Sequence, residues 1–180
     1  AQPDIAVRRF LLSQAIMLSM IGIPGIYFPS LFGSRNDDAG VQATGRNRTI
    51  NREKLNADTL LSDLARDGSI PRAVFERYAR LLAIRSSEPA FHPLGAQAVL
   101  DVSPQVFAVE RTSPDEGSRV LALHNVSDQP QSVSLPISGE WIDLFDHAAV
   151  DANAPILLAP YQFRWLKTIR GARNIAEMPL

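Results

Sequence analysis

The sequence predicts an α+β fold in which one end of a parallel α/β unit, residues 1–90, precedes an antiparallel β-sandwich, residues 91–180. In the first part, an apolar helical stretch runs into a continuous apolar segment from Ile23 to Phe28, as in a strand buried on both faces of a parallel sheet. In the second part, short segments alternate between apolar and polar residues, as antiparallel strands do. One strand and its helix cannot cover each other fully, so we expect a fragment whose remaining sheet lies outside this sequence.

The first helix is predicted over residues 4–20, and Gly22 ends it. Polar residues at positions 13, 14 and 19 interrupt its apolar pattern, whereas a membrane span needs about 20 uninterrupted apolar residues. The apolar character also continues past the place where a signal peptide would be cleaved. We therefore expect a buried helix and then a buried strand, which Pro29 stops.

A long polar stretch, residues 30–51, follows the predicted strand. The strings SRNDD at 34–38 and GRNRTINRE at 45–53 bring charges of both signs to the place where a strand leads into a helix. In parallel α/β proteins, ligands bind at this face of the sheet. The sequence therefore predicts a ligand-binding loop.

Two helices and five strands are predicted after this loop. One helix covers residues 57–66 before Gly68, and the next begins near Pro71 and ends at the dipeptide Glu88-Pro89. The strands are predicted over 106–111, 120–125, 132–135, 141–145 and 161–166.

Aromatic side chains of the predicted sandwich are expected in its core. Those at positions 161, 163 and 165 share one face of the last strand, while Gln162 and Arg164 share the other, which we expect to be exposed. Trp141 and Trp165 are interpreted as core residues, although a tryptophan can also serve as a platform on which a sugar stacks.

Composition and charge exclude several classes of protein. A formal net charge of −1 gives no general attraction to nucleic acid or to anionic membranes, so neither is expected as a partner. The chain has no cysteine, which excludes disulfides and thiolate chemistry and suits a cytoplasmic location. The spacing of its three histidines does not indicate a metal site, and no metal or cofactor is predicted.

Several segments of the sequence resemble a known enzyme family. The segment RRFLLSQAIMLSMIGIPGIYFPSLFGSRND, residues 8–37, resembles the seventh helix and eighth strand of the catalytic barrel in the sucrose phosphorylase branch of the α-amylase superfamily. The string from Arg48 to Arg52, RTINR, resembles the arginine motif that follows that strand. The strings VLALHNVSD, WIDLF and APYQFRWL resemble the C-terminal domain of the same enzymes, and FGSRND is similar to the sucrose 6-phosphate and glucosylglycerate phosphorylases.

This resemblance implies the last helix-strand-helix part of a (β/α)8 barrel followed by the sandwich. It also implies a retaining α-glucosyl phosphorylase that uses a glucoside such as sucrose and inorganic phosphate. The catalytic carboxylates of such enzymes precede Ala1, so no catalytic residue is assigned, and the isolated chain is expected to be inactive. The missing barrel portion, or a second chain, is expected to cover Ile23 to Phe28.

Among the residues present, the resemblance assigns Arg48 to the glucosyl unit, because a guanidinium fork serves a carboxylate and a sugar hydroxyl together. Arg46 is the competing candidate, since Gly45-Arg46 copies part of the motif. Asn36 and Asp37 are candidates for contacts with the acceptor, or they shape turns. Two alternatives to the phosphorylase stay open: a hydrolase or transglucosidase of the same superfamily, and a non-catalytic sugar-binding or assembly module.

Overall fold

The computed structural model describes residues 3–51, 53–135, 139–151 and 153–170, without the side chains of Pro3 and Arg170. Within these ranges the α-helices are α1 (Pro3–Ser19), α2 (Asp38–Thr44), α3 (Ala57–Ala65) and α4 (Ile70–Ser87). Short 3₁₀-helices cover Phe28–Phe32, Asn47–Asn51 and Pro89–Phe91. The strands are β1 (Ala96–Ser103), β2 (Val106–Thr112), β3 (Arg119–Asn125), β4 (Gln131–Val133), β5 (Glu140–Asp143), β6 (Ala149–Asp151), β7 (Ile156–Leu158) and β8 (Phe163–Arg170).

The chain divides into two compact units. One unit combines Ala1–Leu11 with Gly25–Arg80, and the other combines Leu12–Pro24 with Leu81–Leu180. The second half of helix α1 therefore belongs to the same unit as the β-strands. The division into a barrel part and a sandwich at residue 90 stays a prediction.

The predicted antiparallel sandwich is confirmed. A six-stranded sheet has the order β1-β2-β3-β8-β5-β6, and a two-stranded sheet pairs β4 with β7. Both sheets contribute to one hydrophobic core, which contains Val106, Ala108, Leu121, Leu123, Val133, Trp141, Ile156, Leu158 and Leu166. The five predicted strands correspond to β2, β3, β4, β5 and β8, whereas β1, β6 and β7 were not predicted.

The larger sheet is covered on both faces, which corrects the expectation of one exposed face. Trp165 and Leu166 are consecutive in β8 and both fully buried, so they point to opposite sides of the sheet. The Trp165 ring contacts Phe91, with ring centroids 4.7 Å apart. Arg164, expected at the surface, forms an ion pair with Asp143 at 2.7 Å, and its side chain is 19% exposed. The burial of Trp165 confirms its predicted place in the core.

A buried carboxylate attaches the end of helix α4 to the same sheet. Glu88, which is 7% exposed, accepts hydrogen bonds from the Ser118 hydroxyl at 2.5 Å and from Lys167 Nζ at 2.9 Å. It also accepts from the backbone amide of Ala90 at 3.1 Å, which starts the following 3₁₀-turn. The predicted end of the helix at Glu88-Pro89 is confirmed, and the terminating residue is also an anchor.

The strand predicted from Ile23 to Phe28 is not observed in the described chain, so the helix-strand-helix part of a barrel stays a prediction. Residues 23–27 have no regular secondary structure, and Phe28 begins a 3₁₀-helix. Ile23 is 85% exposed and Phe28 is 61% exposed. A strand requires a neighbour that takes up its backbone hydrogen bonds. The described residues provide no such neighbour for this segment, so it forms no strand and much of it is exposed.

Helix α1 is confirmed, with buried side chains including Val7, Leu11, Ala15 and Leu18. Among the described residues, no helix has the length and apolar character needed to traverse a bilayer. The same ranges contain no group of three or more histidine or acidic side chains arranged to hold a metal ion.

His124 is a fully buried titratable group within β3. Its Nδ1 lies 3.1 Å from the carbonyl oxygen of Phe107, and its ring lies 5.7 Å and 6.5 Å from the rings of Phe107 and Phe163. Because a carbonyl oxygen accepts, Nδ1 carries the proton of the neutral ring. Burial lowers the pKa of His124 from 6.5 to about 4.

This shift gives a pH-dependent stability. The unfolded chain binds a proton at His124 below pH 6.5, whereas the folded chain does so only near pH 4. The free energy of unfolding should therefore fall by about 3 kcal/mol through this group as the pH is lowered across that window. Urea unfolding of His124→Gln at several pH values should lack this contribution.

The exposed His147 provides the matched control, since His147→Gln should keep the pH dependence of the unchanged protein. Carboxylates also titrate in this window, so the difference between the two variants isolates the buried ring. Equal pH dependence in both variants would contradict the assignment.

Candidate substrate-binding cleft

An open cleft of about 810 Å³ lies where the two polar strings of the predicted ligand-binding loop meet. Its polar walls are formed by Tyr27, Ser30, Ser34, Arg35, Asn36, Asn47, Arg48, Asn51 and Glu53. Six residues, 39–44, separate the strings in sequence, and helix α2 together with the turn after it brings them to the same cleft. The loop is therefore ordered by short helical segments and is not structureless.

Two hydrogen bonds join the strings to each other and to the segment before them. The amide of Asp37 donates to the carbonyl oxygen of Ile50 at 2.8 Å. The hydroxyl of Tyr27 donates to the carbonyl oxygen of Asn51. The turn that carries Arg48 is thus tied on both sides, to the SRNDD string and to Tyr27.

Helix α2 begins with a side-chain cap. Asp37 Oδ1 accepts a hydrogen bond from the amide of Gly40 at 2.7 Å, which satisfies one of the free amides of the first turn. A Cβ atom at residue 40 would lie 2.1 Å from Asp37 Oδ2. Any larger residue here would therefore displace the capping carboxylate.

Gly33 turns the chain at the beginning of the SRNDD string. Its φ of 65° is left-handed, and its amide donates to the carbonyl oxygens of Pro29 and Ser30. A Cβ atom on this residue would lie 2.9 Å from Cγ2 of Val74 in helix α4. Backbone conformation and close packing therefore both favour glycine at this position.

The four predicted site residues fall into two groups. Asn36 and Arg48 line the cleft. Asp37 caps helix α2, and Arg46 is exposed in the turn after it and is not among the lining residues. Their roles in binding stay predictions. Arg52, the last residue of the arginine motif, lies outside the described residues.

The lining residues that were not predicted include Tyr27, Arg35 and Glu53. Tyr27 was assigned to a buried strand, because its apolar neighbours mask the significance of its hydroxyl. Arg35 and Glu53 lie in the two strings, and their position next to predicted residues was the available signal. Within the described part of the chain, neither Arg35 nor Arg48 forms an ion pair, so both guanidinium groups are available to a ligand.

The arrangement suits the binding of a hydroxyl-rich or anionic molecule. Guanidinium and amide groups donate hydrogen bonds, while Glu53 and the Asn51 side chain accept them. Among the described residues that line the cleft, Glu53 is the single carboxylate. Retaining glycoside chemistry uses two carboxylic groups about 5 to 5.5 Å apart, and the described cleft residues contain no such pair.

Replacing the cap residue tests its structural role. Asp37→Ala should destabilise helix α2 by about 1 kcal/mol and speed hydrogen exchange of the Gly40 amide, whereas Asp37→Asn keeps an acceptor and should change little. Exchange measured by NMR distinguishes the variants. Asp38→Ala, which removes the neighbouring exposed acid, is the control. If Asp37→Asn weakens sugar binding while exchange is unchanged, the residue contacts ligand and is more than a cap.

Comparison with known proteins places this geometry in context. Residues 105–166 match the family described as D-apionate lactonase, C-terminal immunoglobulin-like domain. In overall fold, the chain matches an Anoxybacillus α-amylase with a TM-score of 0.66 at 16% identity, covering 92% of this chain and 33% of that one. It also matches a maltogenic amylase from S. marinus with a TM-score of 0.61 at 20% identity, covering 88% and 19%. At these identities the likeness concerns the fold alone.

Sequence similarity is much higher to three glucosylglycerate phosphorylases. The protein from Spirochaeta thermophila is 49% identical over 155 residues, which is 86% of this chain and 26% of the relative. The Escherichia coli protein is 36% identical over 160 residues, covering 88% and 28%. The chain thus spans about a quarter of the length of these relatives. Over the region that it spans, the chain is similar to the glucosylglycerate phosphorylases, which confirms its resemblance to this branch of the α-amylase superfamily.

Proposed function

We propose that this chain is part of a retaining α-glucosyl phosphorylase, which moves a glucosyl unit between a small glucoside and inorganic phosphate. The observation that carries the proposal is the cleft where Asn36 and Arg48 meet, in a sequence 49% identical to a glucosylglycerate phosphorylase. The relatives are about four times as long as the matched region, so the remaining three-quarters would supply the catalytic carboxylates.

The exposed segment that includes Ile23 and Phe28 fits the same proposal. Its side chains are the kind that a sheet buries, yet they are 85% and 61% exposed. We propose that in the whole protein the segment pairs with neighbouring strands and completes a (β/α)8 barrel. The cleft would then lie at the end of its eighth strand, where ligands bind in this fold.

In the proposed reaction, a carboxylate from the rest of the protein attacks the anomeric carbon and releases the acceptor, which takes a proton from a carboxylic acid. A phosphate oxygen then attacks the anomeric carbon of the glycosyl-enzyme and gives its proton to the carboxylate that acted as the acid, which yields glucose 1-phosphate and frees the nucleophilic carboxylate. Arg48 holds the glucosyl unit during both steps, and Asn36 contributes a contact to the acceptor. The chain by itself would bind weakly and catalyse neither step.

The acceptor is proposed to be an anion. Arg35 and Arg48 face the same cleft against one carboxylate, from Glu53, so the site carries excess positive charge. Glycerate and phosphate are both anions, whereas the fructose released from sucrose is neutral. This charge, together with the names of the sequence relatives, favours glucosylglycerate over sucrose as the glucoside.

The alternative is a hydrolase or transglucosidase, since the matched solved structures are amylases. A sugar-binding module is disfavoured because Trp141 and Trp165 are 1% and 0% exposed and cannot serve as stacking platforms. We expect the complete protein to form glucose 1-phosphate from glucosylglycerate and phosphate, as measured with a coupled phosphoglucomutase assay. Release of free glucose without phosphate would instead establish the hydrolase.

Substitution of the two arginines separates the competing candidates. In the complete protein, Arg48→Ala should lower kcat/KM by roughly 10- to 100-fold, because hydrogen bonds from a charged donor to the glucosyl unit are lost. Arg46→Ala, which removes an equally exposed arginine two residues away, should leave kcat/KM within about twofold. The reverse order of effects would transfer the role to Arg46.

A further inference from the structure

Two cavities in the unit that contains the cleft share part of one wall. The cleft of about 810 Å³ adjoins a second open cavity of about 450 Å³, and Ser34, Arg35 and Glu53 line both. Arg48 and Asn36 line the cleft but not the second cavity. Arg35 therefore lies where the cleft borders the second cavity, whereas Arg48 lies away from that border.

Hydrogen bonds hold the backbone on both sides of Arg35. Before it, the amide of Ser34 donates to the carbonyl oxygen of Pro29 at 3.3 Å. After it, the amide of Asp37 donates to the carbonyl oxygen of Ile50 at 2.8 Å. Because the backbone is already ordered, a ligand that binds the Arg35 side chain orders that side chain alone, which lowers the entropic cost of binding.

The chemistry of the shared wall suits an acid that also carries hydroxyl groups. The Arg35 side chain is exposed and forms no ion pair within the described ranges. Its guanidinium group presents parallel N–H donors that match the two oxygens of a carboxylate. Glu53, on the same wall, accepts a hydrogen bond from a hydroxyl group. Glycerate has both kinds of group, so it complements this end of the cleft.

We propose that Arg35 is the specificity-determining residue of the cleft and binds the carboxylate of the acceptor, while Arg48 holds the glucosyl unit. This inference deepens the proposed function and rests on it. The glucoside then lies along the cleft, with its sugar toward Arg48 and its acid group toward the border with the second cavity. Phosphate enters the place that the acceptor leaves, so it is a second oxyanion that Arg35 can contact.

The test compares glucosylglycerate with glucosylglycerol, in which a hydroxymethyl group replaces the carboxylate, as substrates of the complete protein. In a reaction through a glycosyl-enzyme, kcat/KM for the glucoside reports the first half-reaction, before phosphate enters. Arg35→Gln should lower kcat/KM for glucosylglycerate roughly 10- to 100-fold, because hydrogen bonds from a charged donor are lost. The value for glucosylglycerol should change by no more than about twofold.

Lys54→Gln is the matched control. Lys54 is an exposed cation that lines the second cavity and not the cleft. Its replacement removes the same charge from the same region, and it should leave the ratio of kcat/KM for the two glucosides within about twofold. An equal loss of preference in Lys54→Gln and Arg35→Gln would show a general effect of positive charge and would overturn the contact with Arg35.

The value of kcat/KM for phosphate distinguishes the two oxyanions. If Arg35→Gln lowers it while the preference between the glucosides is unchanged, Arg35 serves phosphate and the assignment to the acceptor is overturned. Equal losses for glucosylglycerate and glucosylglycerol also overturn it, since the carboxylate then has no part in the effect. If the unchanged complete protein forms glucose 1-phosphate from neither glucoside, the proposed function itself fails, whereas an unaltered preference in an active Arg35→Gln variant removes this inference alone.

Discussion

Burial of charge is the constraint on which the sandwich unit depends. A cation or carboxylate removed from water has to meet an oppositely polarised group at short range, and the partner has to be fixed in place. Three ion pairs with a nearly buried carboxylate, from Glu88, Glu110 and Asp143, meet this need in the larger sheet and at its edge. Arg85 and Arg111 meet it with backbone carbonyls. Because hydrogen bonds are directional, these groups set the sheet register and the adjoining helix ends together.

The described cleft residues all lie in one of the two compact units. The unit that contains Gly25–Arg80 carries the cleft, with Arg35, Arg48 and Asn36 on its walls. The unit that contains the sandwich carries none of the described cleft residues, and it includes the end of helix α1, whose carbonyl oxygens accept hydrogen bonds from Arg85 and Arg111.

Periodic apolar patterns made helices α1 and α4 and five of the strands predictable, because one buried face recurs at a fixed interval. The strands β6 and β7 have three residues each, too few for an alternation to be recognised. Helix α2 has seven residues and is held by the cap at Asp37, with no apolar stripe to reveal it. The apolar run from Ile23 to Phe28 indicated burial, but a sequence does not state whether the partner strand belongs to the same chain.

The sequence predicted the region of the cleft, but only some of the residues that line it. The two polar strings identified where ligands would bind, and a resemblance singled out Arg48. Neighbours such as Asp37 were included because they lie beside a lining residue in sequence, but the Asp37 carboxylate accepts a hydrogen bond from the first turn of helix α2. Tyr27 was missed for the opposite reason, since an apolar run concealed a hydroxyl that ties the loop together.

The packing of Gly33 against Val74 links two positions that are 41 residues apart in sequence. Residue 33 admits no side chain while a branched residue occupies position 74. The left-handed backbone at residue 33 disfavours a Cβ atom as well, so glycine should persist there in homologues even where position 74 holds a smaller residue. A glycine retained in an alignment of long-diverged members would mark the beginning of the ligand loop.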